Sequence, residues 1–518
     1  MRYGHGVSLW VLAAVMLTSF MGNVAADEKA QDSASGANVP NPATESVTTS
    51  EGSGKDTEVV RGSFRAGIDA AKSSKSTDIN LDQFLRFRIT PPEYPKLHIN
   101  GSLWLTEDLD GDENPRSVLR DINDQYDDSL RLRILTLNVE AEDVWGDSTL
   151  RIGRQRITES PLLNRIDGIY FQQTTGTFDW YVFAGARASL YRDTHKDQQG
   201  GAGLTWQLST TTRLGLDFFI ADEERRVRSE RLLPNLLPFG YSREIQENVN
   251  DSYVALSLYQ DITENVRLYA RAMFYEKDFT EFLLDVTGWI PAPDLTWQFT
   301  YRRQLVQIED KVSDLTQFYR VLGPGTQYHQ IFATVHKPIT QRLMLSLEAE
   351  WRQAEGDKEG SLFITNRDYN REAVILTAQK LPYGLEASVS LERWDPDHAD
   401  ATWAISGEAT KKWDKAAVTL GVDYERWRDT VVDYNPYPQW LRQGLALFGV
   451  LPYSAFTPLV YLTDTKEVAV RENVYSVYAR VKYIIKPRQE VGATLSYEED
   501  DGPESPYWRL KAFYEIRF

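Results

Sequence analysis

No residue of this chain is a cysteine. Disulfides, thiolate metal sites, iron–sulfur clusters and haem attached through Cys-x-x-Cys-His are excluded on that ground. A chain without thiols suits passage through an oxidising compartment. Beyond the N-terminal segment there is no apolar run of about eighteen residues, so any insertion into a bilayer must be made with strands. Basic side chains are outnumbered, 57 Lys and Arg against 75 Asp and Glu, and a net charge of −18 argues against nucleic acid as a partner. Histidine is scarce at six residues, none of them in a His-Glu-x-x-His arrangement. Gly-x-Ser-x-Gly is also missing. Neither a built metal or haem centre nor a nucleophile elbow is signalled, so no catalytic residue and no cofactor is expected.

What is present begins with Arg2 and an apolar run from Val7 to about Met21, then Val24-Ala25-Ala26 before Asp27. That pattern predicts a secretory signal peptide over residues 1–26. Residues 27–78 are rich in Ser, Ala, Gly, Thr, Asp and Glu, and are expected to be a disordered periplasmic tail, because they offer little apolar surface to offset ordering entropy. Residues 79–96, closed by Pro91, Pro92 and Pro95, are expected to form a short plug or periplasmic segment.

From Leu97 onward apolar and polar residues alternate with a period of two, in segments separated by turn residues. Candidate strands are 97–107, 128–142, 147–157, 167–175, 177–191, 200–209, 211–221, 251–261, 264–276 and 280–290. They continue with 294–306, 328–337, 341–354, 370–380, 384–394, 401–412, 415–428, 472–484, 488–498 and 507–518. The periodicity is weakest at 167–175 and 280–290, so the count is about twenty with eighteen as the alternative. In 128–142 the apolar face switches from Leu130, Leu132 and Ile134 to Leu135, Leu137, Val139 and Ala141, which predicts a β-bulge near Ile134. Short connections such as Trp145-Gly-Asp and Lys337-Pro-Ile-Thr alternate with longer ones such as 108–127, 222–250, 307–327, 355–369 and 429–471. Apolar residues at 232–239 and at 440–451, the latter suiting a short helix, are expected to fold inward over a pore mouth.

The sharpest alternation is the last: Trp508, Leu510, Ala512, Tyr514, Ile516 and Phe518 on one face, Arg509, Lys511, Glu515 and Arg517 on the other. This terminus resembles that of bacterial outer-membrane β-barrel proteins, in which a final strand ending in Phe is read by the barrel-assembly machinery; Phe518 takes that part here. With 42% hydrophobic residues, 27 Tyr and 14 Trp, the composition suits strands that show lipid one side chain in two and carry interfacial aromatics. The fold expected is therefore all-β, a transmembrane antiparallel barrel over 97–518 in the outer membrane of a Gram-negative-type cell. It would cross the bilayer many times amid lipid and lipopolysaccharide, with both termini on the periplasmic side and a monomer as the default state.

If the apolar face meets lipid, the alternate residues line the lumen. Pore-lining candidates in the first half are Arg131, Arg133, Arg151, Arg154, Arg165, Arg187, Arg213, Asp217, Arg267, Arg271 and Arg302; in the second half they are Glu348, Arg352 and Arg480. The first half leans basic and the second acidic. Paired charges would brace neighbouring strands, whereas an arginine excess would favour anions. Leu150-Arg-Ile-Gly-Arg-Gln-Arg-Ile157, followed by Arg165-Ile-Asp-Gly-Ile-Tyr-Phe171, resembles a hairpin of the alginate-export-type outer-membrane porins. That resemblance implies an eighteen-stranded barrel with an arginine-lined pore for an acidic polysaccharide, and it assigns Arg151, Arg154 and Arg165 to the pore.

Two acidic segments complete the reading. Asp108, Asp110 and Asp112 form a weak calcium candidate, since the Glu that a full EF-hand loop requires is replaced by Leu119. Glu498-Glu-Asp-Asp501 is a candidate for divalent ions bridging lipopolysaccharide. The expected function is a passive channel for polar, chiefly anionic, solutes or an acidic polymer. The alternative is a scaffold barrel sheathing a partner such as a multihaem electron-transfer protein, met in the periplasm by the N-terminal tail.

Overall fold

Strands carry the chain across its whole described length. The computed structural model describes residues 59–110, 119, 130–160, 164–189, 197–228, 244–305, 327–355, 368–397, 401–433, 466–501 and 504–518. The first eleven strands are β1 (Val60–Lys72), β2 (Thr77–Ile89), β3 (Leu97–Asp108), β4 (Leu130–Glu142), β5 (Ser148–Ile157), β6 (Asn164–Thr175), β7 (Phe178–Arg187), β8 (Gln198–Gln207), β9 (Thr212–Arg228), β10 (Glu244–Thr263) and β11 (Val266–Tyr275). The second eleven are β12 (Asp278–Ile290), β13 (Leu295–Gln304), β14 (Gln327–Thr340), β15 (Leu343–Glu355), β16 (Tyr369–Leu381), β17 (Leu385–Pro396), β18 (Thr402–Lys412), β19 (Ala416–Asp433), β20 (Lys466–Lys486), β21 (Gln489–Glu499) and β22 (Tyr507–Arg517). No helix among the described residues is long and apolar enough to cross a membrane.

Each strand pairs antiparallel with the next, and β22 pairs with β1 from Ser63↔Arg517 to Lys72↔Trp508, closing a 22-stranded sheet on itself. Phe518 completes the seam: its carbonyl accepts from the Gly62 amide at 2.7 Å and its own amide donates back at 2.9 Å. A Cβ at Gly62 would lie 2.8 Å from the Phe518 ring, so the bare glycine is what lets that ring lie across β1. Within the lumen Asp69 takes two hydrogen bonds from Arg509, at 2.7 and 2.6 Å, and faces Lys511 at 3.1 Å. The first and last strands are thus joined by backbone ladder, ring and charge together.

Three expectations are corrected here. The barrel has 22 strands, neither twenty nor eighteen. It starts at Val60, not Leu97: residues 60–72 of the expected tail and 77–89, expected as tail end and plug, are the two additional strands. The outward positions of β1 are Phe64, Ala66, Ile68 and Ala70. Ala66 and Ala70 among them give little hydrophobic contrast in sequence, yet the ladders to β2 and β22 pair the backbone that a bilayer would otherwise leave bare. Segments 167–175 and 280–290 both lie in strands, and the bulge falls where the phase slip placed it: Ser102 pairs Thr136 and Leu103 pairs Ile134, leaving Leu135 unopposed. Residues 1–26, expected as a signal peptide, residues 27–58 of the expected tail and the apolar loop segments 232–239 and 440–451 lie outside the described residues.

Both chain ends of the barrel lie at the edge whose connections are short, such as 176–177, 264–265 and 487–488; the opposite edge carries 109–129, 229–243, 305–326 and 434–465. The outer wall is apolar and exposed, as along β9, where Leu214, Leu216, Phe218 and Ile220 project outward. Moving one such side chain from water into lipid contributes about 1.5–3 kcal/mol. Aromatic residues rim this wall at both edges. Trp145, Phe171 and Trp180 contact one another near the short turns, while Tyr424–Tyr475 and Tyr497–Trp508 do so near the long loops. Such girdles mark the two interfaces of a bilayer.

Candidate functional site

Directly paired residues of an antiparallel ladder share a face, so the register fixes which side chains enter the lumen. From β6 to β11 those inward positions hold a continuous run of rings. Tyr170 stacks on Tyr181 with centroids 6.0 Å apart, Tyr181 on Phe183 at 6.3 Å, and Phe183 meets Phe219 at 6.2 Å. Phe219 then meets Tyr253 at 5.7 Å, and Tyr253 meets Tyr275 at 4.9 Å. Tyr170, Phe183, Phe219 and Tyr253 are buried. Room for the run comes from β8, whose inward positions 201 and 203 are glycine: a Cβ at Gly203 would sit 2.1 Å from the Tyr181 ring. Tyr181 crosses that gap and donates a 2.6 Å hydrogen bond to Asp217 on β9.

Guanidinium groups flank and extend this run. Arg151 lies 3.9 Å over Tyr170 and Arg133 4.7 Å over Trp104 on one side; Arg302 and Arg352 lie 5.9 and 3.8 Å over Tyr328 on the other. Arg371 continues it, 5.5 Å over Trp394. A ring face holds a guanidinium through its quadrupole while leaving the N–H edge directed elsewhere. Carboxylates hold others. Glu281, nearly buried, accepts from Arg271 at 2.6 Å and from Arg302 at 3.4 Å, and Arg151 donates to Glu159 at 2.8 Å. Arg371 bridges Glu348 at 2.9 Å and Glu392 at 3.0 Å, and Glu350 accepts from Gln330 and Tyr369 at 2.6 and 2.5 Å. The result is an arginine–aromatic belt on the lumen wall, in the half of the barrel nearer the long loops.

Arg131, Arg133, Arg151, Arg187, Arg213, Asp217, Arg267, Arg271, Arg302, Glu348, Arg352 and Arg480 all occupy inward register positions. Arg267 faces Asp261 at 3.4 Å, Arg213 stacks on Tyr259, and Arg480 lies 5.7 Å over Tyr478, whose hydroxyl donates across Gly421 to Glu408. Arg154 and Arg165 do not belong to the pore. Arg154 pairs directly with Leu137 and Asp167, on the outward face shared with Ile152 and Ile169, and Arg165 pairs with Arg156 on that same face. Arg151 and Arg154 are an odd number of residues apart, so a strand must send them to opposite sides. The ring run, Glu281 and Tyr328 were not anticipated. The signal available was aromatic residues at inward parity beside a strand with glycine at two successive inward sites, 201 and 203.

The metal candidates are weak. Asp110 accepts from the Ile79 amide at 2.8 Å, and burial together with the neighbouring Asp108 charge raises its carboxyl above the ordinary value; Asp112 lies outside the described residues. His98, Glu140 and Glu142 converge with ligand atoms within 4.8 Å of one another, but Arg88 already sits 3.4 Å from Glu140 and 3.1 Å from Glu142. Asp501 accepts from the Asn473 backbone and side chain at 3.1 and 3.2 Å.

No protein-family model matches the chain, and no curated protein does. The resemblance to alginate-export-type porins therefore rests on its hairpin alone. Among solved structures the P pilus usher (PapC) translocation pore aligns with a TM-score of 0.46 at 7% identity, over 88% of this chain and 99% of its own. OccAB2 of Acinetobacter baumannii aligns with 0.39 at 8%, over 89% and 97%. A BenF-like porin from Pseudomonas fluorescens Pf-5 gives 0.39 at 7%, over 89% and 98%.

Proposed function

We propose that this chain is an outer-membrane channel for polar solutes, with a preference for anions. One observation carries the reading: a closed barrel with an apolar outer wall whose inward side chains are charged and, at Arg213, Arg267, Lys482, Arg509 and Lys511, exposed. A barrel of 22 strands is wider than its own side chains fill, so charged groups facing inward meet water. The anion preference rests on these exposed inward basic groups and on Glu281, a single carboxylate shared by Arg271 and Arg302 in the belt.

Planar-bilayer recording of the purified chain tests both levels. The barrel should conduct without a partner, and under a salt gradient its reversal potential should indicate anions. Changing Arg151, Arg187, Arg213 and Arg271 together to Gln should move that potential toward cations. No movement in a folded, conducting barrel would mean that these arginines serve only as strand braces. Absence of conductance in the unmodified protein, with a co-purifying periplasmic partner, would turn the reading to a sheathing scaffold.

A further inference from the structure

The lumen wall from β11 to β14 carries a recess at the short-turn end, away from the belt, with a volume of about 380 Å³. Small-ligand pockets span roughly 300–1,000 Å³. Two rows of cross-strand partners at inward register positions build it. Thr287, Gln298 and Thr334 form one row beside Arg267, and Trp289, Thr296 and His336 form the other, nearer the turns. The rows are two residues apart along each strand, about 7 Å. Hydrogen bonds set the orientation of several of these groups. The exposed Trp289 donates through Nε1 to Asp294 at 2.9 Å. The His336 ring is held at both nitrogens, 2.7 Å from the Ser346 hydroxyl and 3.3 Å from that of Thr334. Gln298 donates from its amide nitrogen to Asp285 at 2.7 Å and to Thr300 at 3.4 Å. Its side-chain carbonyl, and the hydroxyls of Thr287 and Thr296, meet no hydrogen-bond partner among the described residues.

Charge does not select an anion in this recess. Arg267 faces Asp261 at 3.4 Å, and Glu264 adds a second carboxylate to the lining. What the recess offers is an exposed indole, two hydroxyls able to donate or accept, and one carbonyl acceptor. An uncharged ring sugar is the complement of that set. The C–H groups on a face of its ring carry slight positive charge, which the negative face of an indole attracts. Its hydroxyls both donate and accept, so they can serve Thr287, Thr296 and Gln298 together. A single pyranose ring with its hydroxyls reaches from one row to the other. We propose that this recess is a subsite for an uncharged hexose ring, stacked on Trp289 and hydrogen-bonded by Thr287, Thr296 and Gln298. The proposal rests on the channel reading above and names a neutral class of solute that the lumen would hold in passage.

The test is saturation-transfer NMR of the detergent-purified full chain with the methyl glycosides of D-glucose, D-galactose and D-mannose. Sorbitol, which has the hydroxyls without the ring, and D-glucuronate, which adds a charge, are the comparisons. At least one glycoside should receive saturation at its ring protons and bind about tenfold or more tightly than sorbitol. Trp289→Ala should weaken that binding about tenfold, and Trp289→Phe should restore most of it. Thr287→Val with Thr296→Val, which keeps the shape and removes both hydroxyls, should weaken it by a similar factor. Trp413→Ala, at an exposed ring in a different short turn, should leave it unchanged. No transfer to any of the three glycosides in the unmodified protein would overturn the proposal, and this arm needs no variant to fold. Tighter binding of glucuronate than of every glycoside would overturn it too, as would undiminished binding in Trp289→Ala. Conductance of the same preparation separates the two readings: a conducting barrel that binds no glycoside rejects the subsite alone. A barrel that binds one but does not conduct rejects the channel alone.

Discussion

Glu281 is the carboxylate on which the local charge of the belt turns. Its side chain is 5% exposed and lies between Arg271 and Arg302, so one negative charge answers two positive ones. Glu281→Gln keeps the shape and removes the charge. The two guanidiniums then lose their shared counter-ion, and the field at the belt becomes more positive. Reversal potentials should move further toward anions, in the opposite direction to the arginine substitutions. Stability against urea should fall by about 1–3 kcal/mol, as for polar groups left without a partner. An unchanged reversal potential would mean that permeating ions do not pass within reach of this cluster. The same scale shows why Arg154 misled: residue type and motif are visible in sequence, but which side of the sheet a given arginine takes depends on register with its neighbours, here Leu137 and Asp167.

At the scale of elements, the seam between β1 and β22 decides whether the sheet has edges. A chain beginning at Leu97 would lack β1 and β2, leaving β3 and β22 with unpaired backbone in lipid. Carried behind residues 1–26 for export, such a chain should yield little heat-modifiable, folded barrel in outer-membrane fractions, whereas residues 57–518 carried behind the same segment should assemble. Comparable yields would show the first two strands to be dispensable. Phe518→Asp should also lower the assembled fraction, because it removes the ring that covers Gly62 and places a charge on the lipid face; unchanged levels would count against Phe518 as an assembly signal. The strands that sequence revealed were those with strong outward contrast, such as Leu214 to Ile220 on β9 and Trp508 to Phe518 on β22. β1 escaped because Ala66 and Ala70 stand where contrast was expected, and a strand built from small residues is recognised only through its partners. The bulge at Leu135 was legible because a bulge reverses the parity of everything after it. The ring run was not, because it links residues on five strands, and nothing in the linear order of Tyr170, Phe183, Phe219, Tyr253 and Tyr275 brings them together.

For the whole molecule, the lumen has two characters. Arginines and rings occupy the wall from β4 to β15, while Glu392, Glu408, Asp423, Glu425 and Glu498 take inward positions from β17 to β21. Opposed charges across a lumen set up a transverse field that orders polar solutes without raising net selectivity far. How strongly an ion feels one wall then depends on screening. The Debye length is about 10 Å at 0.1 M salt and about 3 Å at 1 M. If anion preference arises from the field of the belt, the permeability ratio should be largest at low ionic strength and fall toward unity as salt rises to about 1 M. Reversal potentials measured at a fixed salt ratio across that range provide the check. A ratio that stays constant would assign the preference to direct contact with guanidinium groups at a constriction, since contact interactions between partly desolvated groups are screened far less than a field reaching across water.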